Sequence, residues 1–379
     1  MSSEYSLSKA SWHTDRIKRL QDDKPISPTQ LQIDLEAYCN DNCSFCSYRA
    51  EESHNAKGLL KLINQKSLPI IDNFKPIGQP TKASSLPLYL AIDLPKQIYD
   101  AGIPAVTFTG GGESTLWPAY DEIVKNLIDY KIQIGLITNG SSLSDHRIEQ
   151  IVKHYTWVRI SIDAASPETH RLLHQTKNYD FDRRIKIISK LVEKRKEFDN
   201  DSGEGLTIGV SYVITDNNFH EIEKACELYS SLGVDYIRFS FMYVEGVGVG
   251  KIIESKKDEA KKIFDECIIK YNTDKFTVSP ATYKLDTYSH ENDDFGTCYM
   301  QHFVWALGAD CKVYPCCIQK YIDGWEFGDV RNITLKEMVT KAYSSMRNID
   351  VKKCPPCWMR DRNKSMINAI KKPKHVNFI

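Results

Sequence analysis

The sequence predicts an α/β fold: a partial (β/α)6 barrel of parallel strands, followed by a small cysteine-rich domain built from a β-hairpin and a helix. Three observations predict it. Six short runs rich in β-branched and aromatic residues lie between residues 31 and 245, separated by segments of helical apolar periodicity. Some of these runs are apolar nearly throughout, as strands covered on both faces of a parallel sheet are. From residue 298 onward the alternation gives way to six cysteines, at 298, 311, 316, 317, 354 and 357, among short hairpin-like pieces.

The six runs are Leu31–Tyr38, Ala105–Thr109, Ile132–Thr138, Trp157–Asp163, Leu206–Thr215 and Tyr236–Glu245. Between them, Tyr120, Ile123, Val124, Leu127 and Ile128 form one helical stripe, with Pro118 at the favoured first helical position. Ile222, Ala225, Cys226, Tyr229 and Leu232 form another, capped by Asn217 or Asn218 and ended by Gly233. Strand–helix alternation implies right-handed parallel units, so ligand chemistry belongs at the carboxyl ends of the strands. The stretch from Asn64 to Pro87 holds Pro69, Pro76, Pro80 and Pro87, which no continuous helix accommodates; it reads as a loop insertion before a helix at Leu90–Asp100. A glycine-rich exit follows Glu245, then a helix at Ile253–Lys270. The resulting division is an N-terminal extension at 1–29, the barrel at 30–250, a linker helix at 251–290 and the cysteine-rich domain at 291–379.

At 379 residues, the chain is too long for one ordinary domain. Hydrophobic residues make up 41% and charged residues 26%, which excludes disordered and fibrous classes. Fifty basic side chains balance fifty acidic ones, so no global charge directs the chain to nucleic acid or anionic lipid. No apolar run approaches the ~18 residues of a membrane span. The start, MSSEYSLSKASWHTDR, lacks the apolar core of a signal peptide, and a cytoplasmic location is expected. Eleven cysteines in such a chain point to metal or redox chemistry rather than disulfides.

Cys39, Cys43 and Cys46 stand together directly after the first strand. Three thiolates on one loop hold three corners of a metal site. An iron–sulfur cluster normally takes four cysteines, so three leave one iron open to another ligand. A zinc site with a distant fourth ligand, or plain packing, are the alternatives from these residues alone.

The Cys-x3-Cys-x2-Cys spacing, with Phe45 before the last cysteine, resembles the radical S-adenosylmethionine (SAM) superfamily. Later segments are similar in the same order: Thr-Gly-Gly-Gly-Glu at 109–113, Thr-Asn-Gly at 138–140 and Arg-Ile-Ser-Ile-Asp-Ala at 159–164. The resemblance implies that Cys39, Cys43 and Cys46 bind a 4Fe-4S cluster whose open iron is chelated by SAM. It further implies that Phe45 lies near the adenine, that Gly111 and Gly112 allow close backbone approach, and that Glu113 takes the methionine ammonium. Ser161 would reach the ribose or carboxylate of SAM, with Asp163 serving the same site or acting as a satisfied strand-end group. Arg171 is the candidate for the SAM carboxylate, or a solvated helix arginine; the family's arginine commonly falls three residues later, where this chain has His174.

The second cysteine group is similar to the C-terminal extension of radical SAM enzymes called SPASM, or twitch in its shorter form. Val-Tyr-Pro-Cys at 313–316, the stretch Phe327–Met338 and Cys354-Pro-Pro-Cys357 follow its course. With no cysteine after Cys357, the shorter form with one auxiliary iron–sulfur cluster is implied, its ligands Cys298, Cys316, Cys354 and Cys357. Cys311 or Cys317 is an alternative to Cys316, and zinc an alternative to iron. Cys226 and Cys267 lie on apolar helical faces and read as packing residues. The basic closing stretch reads as a solvated tail or, less simply, a surface for a polyanion. The function implied is reductive cleavage of SAM to a 5′-deoxyadenosyl radical that abstracts a substrate hydrogen, with flavodoxin or ferredoxin as electron donor. A peptide is the leading substrate class, a small carbohydrate or nucleoside the alternative, and a zinc-stabilised binding protein the reading from another class.

Overall fold

The computed structural model describes residues 9–46, 48, 85–176, 180–198, 205–244, 248–249, 256–280, 296–347, 349–354, 357 and 359–371. Most of the insertion expected between Asn64 and Pro87, residues 245–247 of the glycine-rich exit and everything beyond Lys371 lie outside these.

Six parallel strands, β1 (Gln30–Asp34), β2 (Ala105–Thr109), β3 (Gln133–Thr138), β4 (Trp157–Ser161), β5 (Thr207–Ile214) and β6 (Tyr236–Phe241), lie side by side in chain order. β1, β4, β5 and β6 stop before the carboxyl ends of the runs expected for them, where the chain turns into the loops. The helices between them are α2 (Leu90–Asp100), α3 (Tyr120–Asp129), α4 (Asp145–His154), α5 (Pro167–His174), α6 (Asp180–Arg195) and α7 (Ile222–Leu232), and α1 (Thr14–Gln21) precedes β1. One apolar core fills the space between helices and sheet, with Leu31, Ile33, Phe108, Leu136, Val158, Ile160, Val210 and Phe239 at 0% exposure. Burying such side chains at about 25 cal/mol per Å2 is what holds the layers together.

Two local expectations are corrected. Pro118 sits in the turn two residues before α3 rather than at its first position. Asn218 does not cap α7; its side chain accepts from the Thr215 N–H and donates to the Asp163 and Val213 carbonyls, closing the loop after β5 instead. Glu221 is the residue preceding α7.

Beyond β6 come a small antiparallel pair, β7 (Tyr243–Val244) with β8 (Gly248–Val249), helix α8 (Lys257–Tyr271) and β9 (Thr277–Pro280), which adds to β6 in parallel. The cysteine-rich segment supplies β10 (Val304–Leu307), β11 (Lys312–Tyr314) and β12 (Gly328–Asp329), then α9 (Leu335–Arg347) and α10 (Arg360–Ile370). The expected hairpin at Gly308 is present, with β10 and β11 antiparallel. β10 also pairs in parallel with β1, so the ten strands form one sheet in the order β12-β11-β10-β1-β2-β3-β4-β5-β6-β9. The hairpin thereby carries its cysteines to the edge of the barrel where the first cysteine loop emerges. The N-terminal extension packs on this same region: Ile17 and Leu20 of α1 join Met300, Phe303, Met366 and Ile370 in a second apolar core. Among the described residues no helix is long and apolar enough to cross a membrane.

Candidate functional site

The loop after β1 carries Cys39, Cys43 and Cys46, all partly exposed, and none of the eleven cysteines forms a disulfide. Three neighbouring elements tie this loop down. From the β2 side, the Glu113 N–H donates to the Tyr38 carbonyl at 2.9 Å. That approach requires glycine at 112: a Cβ there would lie 2.1 Å from the Tyr38 oxygen. From the β3 side, Asn139 donates to Asn40 at 2.8 Å, and Asn40 donates to the Ser141 hydroxyl at 2.6 Å. From the end of α5, the His174 and Leu173 carbonyls accept from the Asn42 and Ser44 N–H groups at 3.0 and 2.8 Å.

Glu113 is buried, and its Oε1 accepts from the Thr115 N–H, the Thr115 hydroxyl and the Thr138 hydroxyl, while Oε2, among the described residues, accepts only from the Asn139 N–H at 2.8 Å. A carboxylate has about four lone-pair sites in all, two per oxygen, so Oε2 keeps room for one further donor. Burial raises the Glu113 pKa, and these hydrogen bonds oppose the shift. Gly111 donates its N–H to Asp34 at 3.0 Å.

The least expected feature is a buried charge network beside Cys43. His174 Nδ1 meets Asp41 at 3.0 Å, its Nε2 meets Asp163 at 3.0 Å, and the Cys43 sulfur lies 3.4 Å from Nδ1. Arg184 from α6 donates to the other Asp41 oxygen at 2.6 Å. Burial opposes charge on His174, yet the Cys43 sulfur and the two carboxylates raise its pKa well above the ordinary value. Asp41 is held far below the usual carboxylate range: burial raises it, and Arg184 and His174 more than reverse that. Asp163 takes a left-handed backbone, φ 59°, so that its second oxygen accepts from the Val213 N–H at 2.6 Å. Asp163 is thus fully engaged in joining β4, β5 and the cysteine loop. Phe45 stands edge-on to His174, centroids 5.8 Å apart. Ser161 is partly exposed and bonded to Ser211 at 3.1 Å. Arg171 lies on the exposed side of α5, away from this network, while His174 one turn later occupies its centre. Asp41, His174 and Arg184 were not among the expected site residues; the signal for them was an acid inside the cysteine loop and a histidine where the family has arginine.

In the second group, Cys298, Cys316, Cys317, Cys354 and Cys357 are electrostatic neighbours of one another. Burial is the largest cause for Cys298, Cys316, Cys354 and Cys357, pushing Cys298 up to about 11 and Cys357 up to about 12. Cys311 is separate: it is packed in the main core with a left-handed φ of 67°, and its charged neighbours are Arg331, Asp329 and Asp310. A third constellation joins the two halves. Lys320, 1% exposed, pairs with Asp34 and lies 5.2 Å from the Tyr48 ring, and Tyr321 donates to Asp34 at 2.8 Å. Tyr321 packs with Cys39, Cys46 and Tyr48, so the auxiliary segment touches the first cysteine loop directly.

The donor set fits a cluster. Burial and the negative charge of Asp41, Cys43 and Glu113 hold the Cys39 thiol well above its ordinary pKa, so a thiolate there needs a cationic metal partner. A single tetrahedral zinc, with Zn–S near 2.3 Å, needs sulfurs about 3.8 Å apart. Among the described residues the one trio of donor atoms within 4.8 Å is Asp41, Cys43 and His174; the cysteines of each group are spread more widely.

The model described as the radical SAM superfamily matches residues 37–229. The SPASM model, described as an iron–sulfur cluster-binding domain, matches residues 298–358. A curated relative, the S-adenosylmethionine-dependent nucleotide dehydratase of Flammeovirga pacifica, is 24% identical over 186 residues, 48% of this chain and 52% of that protein. The chain thus spans about half the length of the curated relative it matches. Among solved structures, Streptococcus suis SuiB bound to its precursor peptide SuiA aligns with a TM-score of 0.61 at 14% identity, covering 89% of this chain and 70% of that one. Native anSMEcpe with bound AdoMet aligns with a TM-score of 0.56 at 17% identity, covering 90% and 97%. At these identities the structural likeness is one of fold.

Proposed function

The chain belongs to the radical SAM superfamily, and from that premise we propose that it reductively cleaves SAM and abstracts a hydrogen atom from its substrate. The observation that carries this reading is the convergence on one cysteine loop of Glu113, the Thr-Asn-Gly loop and the end of α5, each through hydrogen bonds. Cys39, Cys43 and Cys46 would hold a 4Fe-4S cluster, and Cys298, Cys354, Cys357 and either Cys316 or Cys317 one auxiliary cluster. When bound, the first cluster supplies the electron that releases a 5′-deoxyadenosyl radical from SAM, the species able to attack an unactivated C–H bond.

The residues of this chain bind and orient. Glu113 offers its under-used Oε2 to the methionine ammonium, a charge-assisted bond in a buried setting. Phe45 presents an apolar ring to the adenine, and the Ser161 hydroxyl is available to the ribose. Asp163 acts indirectly, through His174, by holding the loop that carries the three cysteines. His174 holds the centre of the network beside Cys43, and Arg171 lies on the exposed side of α5. A flavodoxin- or ferredoxin-type donor supplies the electron, and a cytoplasmic setting keeps the thiols reduced.

For the substrate, the first reading is a peptide, supported by a fold shared with SuiB, whose structure holds a precursor peptide. A second reading, a nucleoside or nucleotide, is supported by the curated nucleotide dehydratase relative. The test of the reaction is incubation of the anaerobic, cluster-loaded protein with SAM and dithionite. Formation of 5′-deoxyadenosine, lost in Cys43→Ala, is expected. Intact clusters that yield none with peptide and nucleotide candidates present would refute the reading, as would colourless protein without acid-labile sulfide.

A further inference from the structure

His174 ends α5 with 1% of its surface exposed, and Asp41, Asp163 and Arg184 around it are likewise buried. Both of its ring nitrogens meet acceptors. Nε2 faces Asp163 at 3.0 Å, and Nδ1 faces Asp41 at 3.0 Å with the Cys43 sulfur at 3.4 Å. An ionised carboxylate only accepts, so both nitrogens carry hydrogens and the ring is an imidazolium. Arg184 Nη1 also stands 3.4 Å from Nδ1, but the guanidinium is itself a donor, and its Nη2 donates to the other Asp41 oxygen. The Nδ1–H is therefore shared between Asp41 and Cys43.

The ring is held in that orientation. The two carboxylates grip its two nitrogens, and His170 stacks on its face at 4.4 Å. Among the described residues no other side chain bonds the Cys43 sulfur. The second cysteine group has neutral donors instead: Gln319 donates to the Cys354 sulfur and the Met359 N–H to the Cys357 sulfur, each at 3.3 Å. Two buried cations, His174 and Arg184, balance two buried anions, Asp41 and Asp163, so the charge turned toward Cys43 is not offset by a surplus of carboxylate.

We propose that His174 is a positioning residue that acts through Cys43, its Nδ1–H bond to the sulfur favouring the reduced form of the first cluster and so setting the potential at which that cluster accepts an electron. One electron passes from the flavodoxin- or ferredoxin-type donor, or from dithionite, and adds one negative charge that the ligating sulfurs share. A donor aimed at one of those sulfurs offsets part of the added charge, and more effectively where water is excluded. Cys43 enters here as a cluster ligand, so the proposal rests on the radical SAM reading.

The test is a redox titration of the anaerobic, cluster-loaded full chain followed by EPR, comparing wild type with His174→Asn and His174→Gln. An asparagine amide reaches the place of Nδ1 and keeps a donor for Cys43. A glutamine amide reaches the place of Nε2 and keeps only the bond to Asp163. The first cluster is recognised by the response of its signal to added SAM, and the auxiliary cluster is the internal reference. At a fixed potential, His174→Gln should lower the ratio of reduced to oxidised first cluster about tenfold, a downward shift of about 59 mV for one electron. His174→Asn should shift it less, and the auxiliary cluster should not move. A His174→Gln ratio within about twofold of wild type, about 18 mV, overturns the proposal. So does a shift in His174→Asn as large as that in His174→Gln, or an equal shift of the auxiliary cluster. Where the variants lose the first cluster, wild-type protein isotopically labelled in its histidine nitrogens decides. Pulsed EPR of its reduced first cluster should show a weak coupling to the label, and absence of that coupling refutes the bond. Wild type that forms 5′-deoxyadenosine, with the potential unmoved in His174→Gln, keeps the radical SAM reading and loses the proposal; a moved potential without 5′-deoxyadenosine keeps the proposal and loses the catalytic reading.

Discussion

Replacing His174 with phenylalanine removes a side chain that bonds two buried carboxylates at once. Each contact, 3.0 Å to Asp41 and 3.0 Å to Asp163, is a charge-assisted hydrogen bond of about 1.5–3 kcal/mol. The gross loss is therefore about 3–6 kcal/mol. Asp41 keeps Arg184 at 2.6 Å and Asp163 keeps the Val213 N–H at 2.6 Å, so neither anion is stranded and the lower half of that range applies. A phenyl ring fills the same space against His170, stacked at 4.4 Å, and Phe45, which keeps the cavity contribution small. The expected destabilisation is about 3–4 kcal/mol, a large share of the ~5–15 kcal/mol typical of a domain. Anaerobic urea denaturation followed by circular dichroism measures it. Iron retained by the first cluster under chelator challenge reports the same loss locally, because Cys43 shares the network. His174→Arg should recover part of both, since its fork donates to two carboxylates. A His174→Phe protein within about 0.5 kcal/mol of wild type, the scatter of an ordinary surface substitution, with undiminished iron retention, refutes the network as the anchor of the cysteine loop.

Three further outcomes follow from the same geometry. Gly112→Ala should detach the loop after β2 from Tyr38, because the new Cβ meets a backbone oxygen at 2.1 Å; loss of the first cluster's EPR signal with the auxiliary one retained checks it. Lys320→Met should cost about 3–5 kcal/mol by leaving Asp34 as a buried anion, and Lys320→Met with Asp34→Asn should recover much of that in a double-mutant cycle by urea denaturation. His302 is buried with Nδ1 unpartnered, and burial lowers its pKa to about 4. The native state therefore holds it neutral: its contribution is intact above its unfolded pKa near 6.5 and falls away as pH drops toward 4, by about 3 kcal/mol in all. His302→Phe should flatten the decline of melting temperature over that interval, and an unchanged slope sinks the assignment.

Much of the architecture was legible in local sequence. Period-two runs and helical stripes report burial directly, and helix α2 spans Leu90–Asp100 as its apolar spacing indicates. Pro118 and Asn218 misled because both obey helix-start rules in isolation, whereas Asn218 has two carbonyls and an N–H to satisfy inside the β5 loop. The candidate cysteines were legible from spacing alone, and the division between Cys311 and its neighbours was not. A cysteine at φ 67° in a hairpin turn looks like any other cysteine until the turn directs it into the core.

By itself the sequence determined the strand–helix order, the two cysteine groups and the Gly-Gly-Glu and Thr-Asn-Gly loops, because each of these is written in residues a few positions apart. Tertiary structure alone decided that β10 pairs with β1, that Asp41, His174, Asp163 and Arg184 form one buried network, and that Lys320 reaches Asp34 from the far end of the chain. Those contacts compensate charges removed from water, and compensation depends on which groups the folded sheet brings within hydrogen-bond distance, whatever their separation in sequence.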